Sequence, residues 1–505
     1  MSAEILRKRR SGVVLHPTSL PGPHGCGDLG PDAYYFVDWL HTAGQSLWQM
    51  LPLGPAGPGD SPYMGSSAMA GNPMLVALEP LQARGWLMPE AVVPPFDALR
   101  VDFAKVLPWR LQCLRRAHQG FLHDEDPSAQ QSLQRWCARQ SGWLEDYALF
   151  MALDQAHQAK DWTAWPEALA RREPIALQAA RLSHAQEIDF WRFIQWQFDE
   201  QWQALKAYAK ARQVMLVGDL PIFVAHHSAD CWANPNLFKL DADGQPAAVA
   251  GVPPDFFSAT GQWWGNPLYE WAAMAADGYR WWLERLQRQL DLNDALRIDH
   301  FRGFQDFWEI AADQKDARLG RWQAGPGMAL FNALSQAMGE LPIIAEDLGI
   351  ITDEVRALRL QTGFPGMRVL QFAFGGDATH PFLPHNFEAN TVVYTGTHDN
   401  DTTQGWWAVC SERERDFAQK YLDCAGLPIH WRLVRSAWLS VANWALCPFQ
   451  DVLGLDGAHR MNTPGTTGCW AWRFCWDWVG PEPALRLYEL TSLAGRGRWA
   501  DQAAP

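Results

Sequence analysis

Ala295-Leu296-Arg297-Ile298-Asp299-His300-Phe301-Arg302-Gly303 is a short apolar run that ends in an acid and then breaks into a turn. Such a run, without polar alternation, reads as a parallel strand buried on both faces. Two further segments end the same way. Ile343-Ile344-Ala345 leads into Glu346, and Val392-Val393-Tyr394-Thr395-Gly396-Thr397-His398 leads into Asp399. An acid that ends a buried parallel strand is held rigidly and points into the mouth of the sheet.

Outward from these three, eight runs read as strands: residues 12–15, 46–51, 214–217, 295–298, 342–345, 367–372, 391–394 and 447–453. Helical patterns occupy 279–290, 328–338, 352–361 and 433–445. Eight strands with crossover helices predict an α/β fold, a (β/α)8 barrel, as one catalytic domain over residues 1–505. The long interval before the third strand does not fit a plain barrel. From about 103 to 211 the chain is rich in Leu, Ala, Gln, Arg and Trp, and Phe190, Ile194, Phe198, Trp202 and Leu205 share one helical face. We read residues 83–211 as a mainly helical insertion subdomain.

A second insertion, residues 225–275, reads as a loop covering the cleft. It contains Gly251-Val252-Pro253-Pro254-Asp255-Phe256-Phe257-Ser258 and Gly261-Gln262-Trp263-Trp264-Gly265-Asn266-Pro267-Leu268-Tyr269, where Gly and Pro argue against a long regular element. Its aromatics either close over a ligand or pin the loop to the barrel.

Composition narrows the partners. The 505 residues carry 42 basic and 56 acidic side chains, a net charge of -14. That argues against nucleic acid and anionic membrane surfaces, since both need a basic patch. The nine cysteines form no Cys-x-x-Cys pair and are odd in number, so reduced thiols in a cytoplasmic protein are expected. Met1 to Arg10 is basic with no long apolar stretch after it, and neither a signal peptide nor a membrane span is expected. The 29 tryptophans mostly serve a core, yet indole also offers a flat face to the C–H side of a sugar ring.

The three acids suit glycoside chemistry, in which two carboxylates work across a sugar ring. Asp299 reads as the nucleophile, kept charged by Arg297 two residues earlier on the same strand face. The alternative is a structural Arg–Asp pair. Glu346 reads as the general acid/base, with a pKa raised by a dry cleft and a neighbouring anion; alternatively one acid of the Glu346-Asp347 pair caps the next helix. Asp399 reads as the acid that holds sugar hydroxyls during ring distortion, with His398 beside it, or as part of a polar loop. The spacing matches no standard zinc or calcium loop, and no metal is expected. Gly59-Asp60-Ser61-Pro62-Tyr63 and Arg460-Met461-Asn462-Thr463-Pro464-Gly465 follow the second and eighth strands, where barrel sites are built, and each is equally readable as turn chemistry.

Together these segments resemble the 4-α-glucanotransferases of glycoside hydrolase family 77, the amylomaltases or disproportionating enzymes. The resemblance runs from Leu15-His16-Pro17-Thr18-Ser19-Leu20-Pro21-Gly22 to Trp470-Ala471-Trp472-Arg473, through Gly218-Asp219-Leu220-Pro221-Ile222 and Leu370-Gln371-Phe372-Ala373-Phe374. It implies an α-amylase-type barrel without a C-terminal β-sandwich. It also implies transfer of α-1,4-glucan segments to the 4-hydroxyl of an acceptor, without metal or organic cofactor. By this resemblance Asp299, Glu346 and Asp399 are nucleophile, acid/base and transition-state stabiliser. Arg297, His398 and Asp219 are sugar-binding companions, and Tyr63, Asp255 and Trp264 line the cleft. The chain departs from the family pattern at Pro58, where members often carry Tyr tied to a secondary glucan site, at His227, often an acid, and at Cys469, commonly Asn. Hydrolysis with the same residues, and sugar binding on an inactive barrel, are the competing readings.

Overall fold

A computed structural model describes residues 3–89, 93–158, 160–254, 258–424 and 426–497. Its twelve strands are β1 (Arg10–Val14), β2 (Leu47–Gln49), β3 (Met215–Leu220), β4 (Ala248–Val252), β5 (Gln262–Pro267), β6 (Ala295–Ile298), β7 (Asp306–Ala311), β8 (Arg321–Ala324), β9 (Ile343–Ala345), β10 (Gly366–Val369), β11 (Thr391–Tyr394) and β12 (Trp444–Pro448). Eight of them close a parallel barrel in the order β1-β12-β11-β10-β9-β6-β3-β2. This is the (β/α)8 fold read from the sequence.

The strands are largely apolar because each meets protein on both sides. Val14, Val217, Ala295, Ile344, Val392 and Tyr394 fill the barrel interior. Their strand neighbours Val13, Leu216, Leu296, Ile343 and Val393 join the outer core beneath the helices. Side chains alternate along a strand. Arg297 and Asp299 therefore follow Ala295 on the inward side.

Six expected strands lie within a few residues of the observed ones, and 295–298 and 391–394 coincide with them. The other two are corrected in part. Residues 367–372 end as strand at Val369 and continue as the 3-10 turn Leu370–Phe372. Only the first two residues of 447–453 are strand: β12 stops at Pro448 and the helix Phe449–Leu453 follows. The helix expected over 433–445 spans Ile429–Leu439, set by Pro428 at its start and Ser440 at its end. Its apolar pattern ran on into β12, which blurred the boundary.

The region 103–211 is mainly helical, in Phe103–Leu122, Pro127–Ala156, Pro174–Ser183 and Ala185–Ala211, with the 3-10 turn Trp162–Ala164 and the short helix Glu167–Ala170 between the second and third. Phe190, Ile194, Phe198, Trp202 and Leu205 are all buried. The long helix Ala185–Ala211 is locked to the barrel loops by two glutamines. Gln195 accepts from the Gly71 N–H at 2.7 Å and donates to its carbonyl at 2.8 Å. Gln201 does the same with Ala77 at 2.8 and 3.1 Å.

The second insertion differs from the loop read in the sequence. β4 and β5 belong to an antiparallel sheet of order β5-β4-β7-β8. Gly251 sits within a strand because Gln262 crowds it: a Cβ there would meet the Gln262 carbonyl at 2.3 Å. A register shift between Val249 and Gly251 accommodates this approach. Phe307 joins the barrel core from β7, which seats the sheet beside the strand ends. β7 breaks its apolar residues with Asp306 and Glu309, β8 alternates polar with apolar, and neither gave a continuous apolar run.

Candidate active site

Asp299 continues β6, and its N–H donates to the Leu220 carbonyl of β3 at 2.9 Å. Arg297 and Asp219 face each other in register across β6 and β3. One guanidinium nitrogen of Arg297 donates to both Asp219 oxygens at 2.7 Å, and another donates to Asp299 Oδ1 at 2.8 Å. Arg297 is buried, which disfavours its charge, but the two carboxylates around it outweigh burial and hold its pKa well above the ordinary value.

The chain of contacts continues. Tyr63 Oη donates to Asp219 Oδ2 at 2.9 Å and lies 2.9 Å from His398 Nε2. The Tyr63 and His398 rings stack at 5.3 Å. His398 Nε2 is 3.3 Å from Asp399 Oδ2. Asn462 donates to Asp399 Oδ1, and Arg460 donates to the Asp399 carbonyl. Burial would raise the Asp399 pKa, yet His398, Asn462 and Arg297 together push it far below the usual carboxylate range. For His398 burial works downward, and the neighbouring Asp399 outweighs it to raise the imidazole pKa.

Glu346 stands apart from this chain. It follows β9, and its oxygens accept from the backbone N–H groups of His300 at 2.7 Å and Leu348 at 2.8 Å. Burial is the main force on it. The charge of Asp299 adds to burial, Arg297 opposes it, and the carboxyl is raised to about 8. Asp347 points away: it accepts from the Met367 N–H at 2.7 Å and pairs with Arg359 at 3.2 Å. A side chain at Gly366 would meet its carboxylate at 2.4 Å. The two neighbouring acids thus separate into one at the strand mouth and one in the scaffold.

The structure therefore brings Asp299, Glu346, Asp399, Arg297, His398, Asp219 and Tyr63 together at one end of the barrel. Trp264 joins them from β5, its ring edge-on to His300 at 4.9 Å. Asp255 lies outside the described residues. Two participants escaped the sequence reading. His300 has left-handed backbone (φ 53) and a half-buried ring whose pKa is lowered by desolvation to about 4. Its imidazole meets the Trp264 ring while its backbone N–H reaches Glu346. Asn462 was visible only as turn chemistry after the eighth strand. No local pattern reveals that it reaches Asp399, because the contact spans 63 residues.

Of the departures, Pro58 lies in an exposed turn, His227 pairs with Asp154 at 2.7 Å, and the Cys469 thiol lies 3.3 Å from the Thr463 N–H. None touches the three acids. One His and carboxylate cluster lies elsewhere, at His24, Asp28 and Glu79. There Arg110 supplies the positive charge, 2.9 Å from Asp28.

An eight-stranded parallel barrel whose mouth gathers a protonated acid, an arginine-paired acid and a strongly ionised acid defines a class, enzymes of the glycosidic bond. Sequence comparison narrows the class. Residues 15–477 match the family model described as 4-alpha-glucanotransferase. A 4-alpha-glucanotransferase of Synechocystis is 48% identical over 499 residues, covering 97% of this chain and 99% of the relative. One of Thermus thermophilus is 47% identical over 497 residues, with 97% and 99% covered. The solved structure of an amylomaltase from Streptococcus agalactiae, in complex with acarbose, superposes with a TM-score of 0.94 at 38% identity, over 97% of this chain and 100% of that one. The chain belongs to the 4-alpha-glucanotransferase family.

Proposed function

We propose that this chain transfers α-1,4-glucan segments by double displacement, with Asp299, Glu346 and Asp399 in the roles the resemblance implies. The Asp299 carboxylate attacks the anomeric carbon of the donor. The glycosidic C–O bond breaks as Glu346 gives its proton to the departing 4-oxygen. A glycosyl ester on Asp299 remains. An acceptor 4-hydroxyl then attacks the same carbon, loses its proton to Glu346, and releases Asp299 as carboxylate. Two inversions retain the α configuration.

The protonation of Glu346 carries this reading. A general acid must hold its proton at working pH, and a carboxyl raised to about 8 does so at neutrality. Once Asp299 is esterified, its charge no longer raises Glu346, which then becomes acidic enough to act as base. Asp399, ionised and fixed between His398 and Asn462, suits charge building on the sugar and its hydroxyls. Asp219 and Arg297 hold the nucleophile in place.

Residues 83–211 serve as a subdomain that buttresses the barrel, and 225–275 as the insertion over the cleft, a role supported by the contact of Trp264 with His300. Its exclusion of water favours an acceptor sugar over hydrolysis. Among the described residues no helix is long and apolar enough to cross a membrane. The nine free thiols suit a reducing, cytoplasmic setting. The substrates are neutral glucans, which fits a chain of net charge -14.

Asp299→Asn tests the assignment. It keeps the Arg297 contact but removes the nucleophile, and disproportionation of maltooligosaccharides should fall by about 10^3-fold or more with the melting temperature kept. Near-normal turnover would sink the nucleophile role.

A further inference from the structure

β5 is the edge strand of the four-stranded sheet, and its two adjacent tryptophans lie on opposite faces. Trp264 faces the cleft, against His300 and Phe223. Trp263 faces the other way and is 43% exposed, whereas Trp48, Trp196, Trp202, Trp232, Trp282, Trp438 and Trp444 are fully buried.

The exposed ring is held in one orientation. Its indole N–H donates to the Gln314 carbonyl at 3.1 Å. Gly265, with φ +79, packs against it so closely that a Cβ would meet ring carbons at 2.7 and 2.8 Å. With its one polar atom satisfied by backbone, the indole offers only its apolar surface outward. That surface borders an open cavity of about 560 Å³, walled by Thr260, Gln314, Lys315, Asp316 and Arg318. The volume falls in the range of small-molecule sites. Asp316 and Arg318 are paired at 2.6 Å, and with Lys315, Thr260 and Gln314 they make a rim of hydrogen-bonding groups. A flat apolar platform inside a hydrogen-bonding rim suits the C–H face and hydroxyls of a neutral polyol.

We infer that Trp263 and this cavity form a glucan-binding site outside the catalytic centre, which takes the distal part of a long α-1,4-glucan. The inference rests on the glucan-transfer reading. Continuity with the cleft supports it. Trp263 and Trp264 are sequence neighbours, so their Cα atoms are about 3.8 Å apart. A chain that leaves the cleft past Trp264 needs only to round the free edge of β5 to reach Trp263. Short oligosaccharides end before that edge.

The test compares maltotriose with amylose as substrate for the full chain and its Trp263→Ala variant. The site predicts an unchanged kcat/KM on maltotriose and a KM for amylose raised about three- to tenfold, the value of one lost stacking contact. Trp263→Phe, which keeps a ring, should restore part of the amylose KM. An unchanged amylose KM would overturn the site. Equal losses on both substrates at a preserved melting temperature would overturn it too, since Trp263 would then act through the cleft. If Trp263→Ala does not fold, calorimetric titration of maltoheptaose into Asp299→Asn alone and with Trp263→Phe decides: equal affinities overturn the site. A change in sedimentation in place of any sugar effect would assign the surface to a second copy of the chain and overturn it. Failure of the transfer reading would show separately, as rising total reducing ends with maltotriose in the unaltered protein.

Discussion

Arg297 is the residue on which the site turns, because one guanidinium serves two acids with different tasks. One of its nitrogens holds both Asp219 oxygens while a second reaches Asp299, a planar spread of donors that an ammonium lacks. Glu346 receives the opposite treatment. It is half-buried, accepts only from backbone donors, and is raised to about 8. This gives a pH prediction with a definite sign. The proton must be present for donor cleavage, so kcat/KM should be level just below pH 8 and fall about tenfold per unit above it, with a separate acid limb where the nucleophile takes up its proton. A pH–rate profile of the free enzyme checks this, and a basic limb near the ordinary carboxylate pKa would contradict it. The three acids were legible because each ends an apolar run. His300 and Asn462 were not, because what makes them important is a partner on another strand end.

At the scale of elements, the insertions are held by buried polar ties as well as by apolar stripes. Gln195 satisfies both backbone groups of Gly71. Gln195→Leu would leave that N–H and C=O unpartnered in the core. A loss of about 2–4 kcal/mol in unfolding free energy is expected, read from the shift in urea midpoint at unchanged slope. A change below 0.5 kcal/mol, the scale of an ordinary surface substitution, would mean that the loop finds other partners. Barrel strands were readable from sequence because burial on both faces makes them continuously apolar. The sheet of β4, β5, β7 and β8 was not. Asp306-Phe307-Trp308-Glu309-Ile310-Ala311 alternates between a barrel-facing and an outer side, Arg321-Trp322-Gln323-Ala324 is largely exposed, and glycines interrupt β4 and β5. Gly251 looked like a loop residue and is instead required by strand crowding.

For the molecule as a whole, the tryptophan excess is chiefly structural. Indoles fill the space between barrel and helices, and Trp264 and Trp263 are set apart by position rather than by number. The fold class and the chemistry both followed from acids at strand ends, since a (β/α)8 barrel gathers those ends at one mouth. In the proposed mechanism the insertions decide what happens to the glycosyl ester. A site open to water would hydrolyse it, and a site shaped for sugar hands it to an acceptor. Incubation with maltotriose separates these outcomes most directly. Glucose and oligomers longer than maltotriose should appear together while total reducing ends stay constant. A steady rise in reducing ends, with no product longer than maltotriose, would contradict the account.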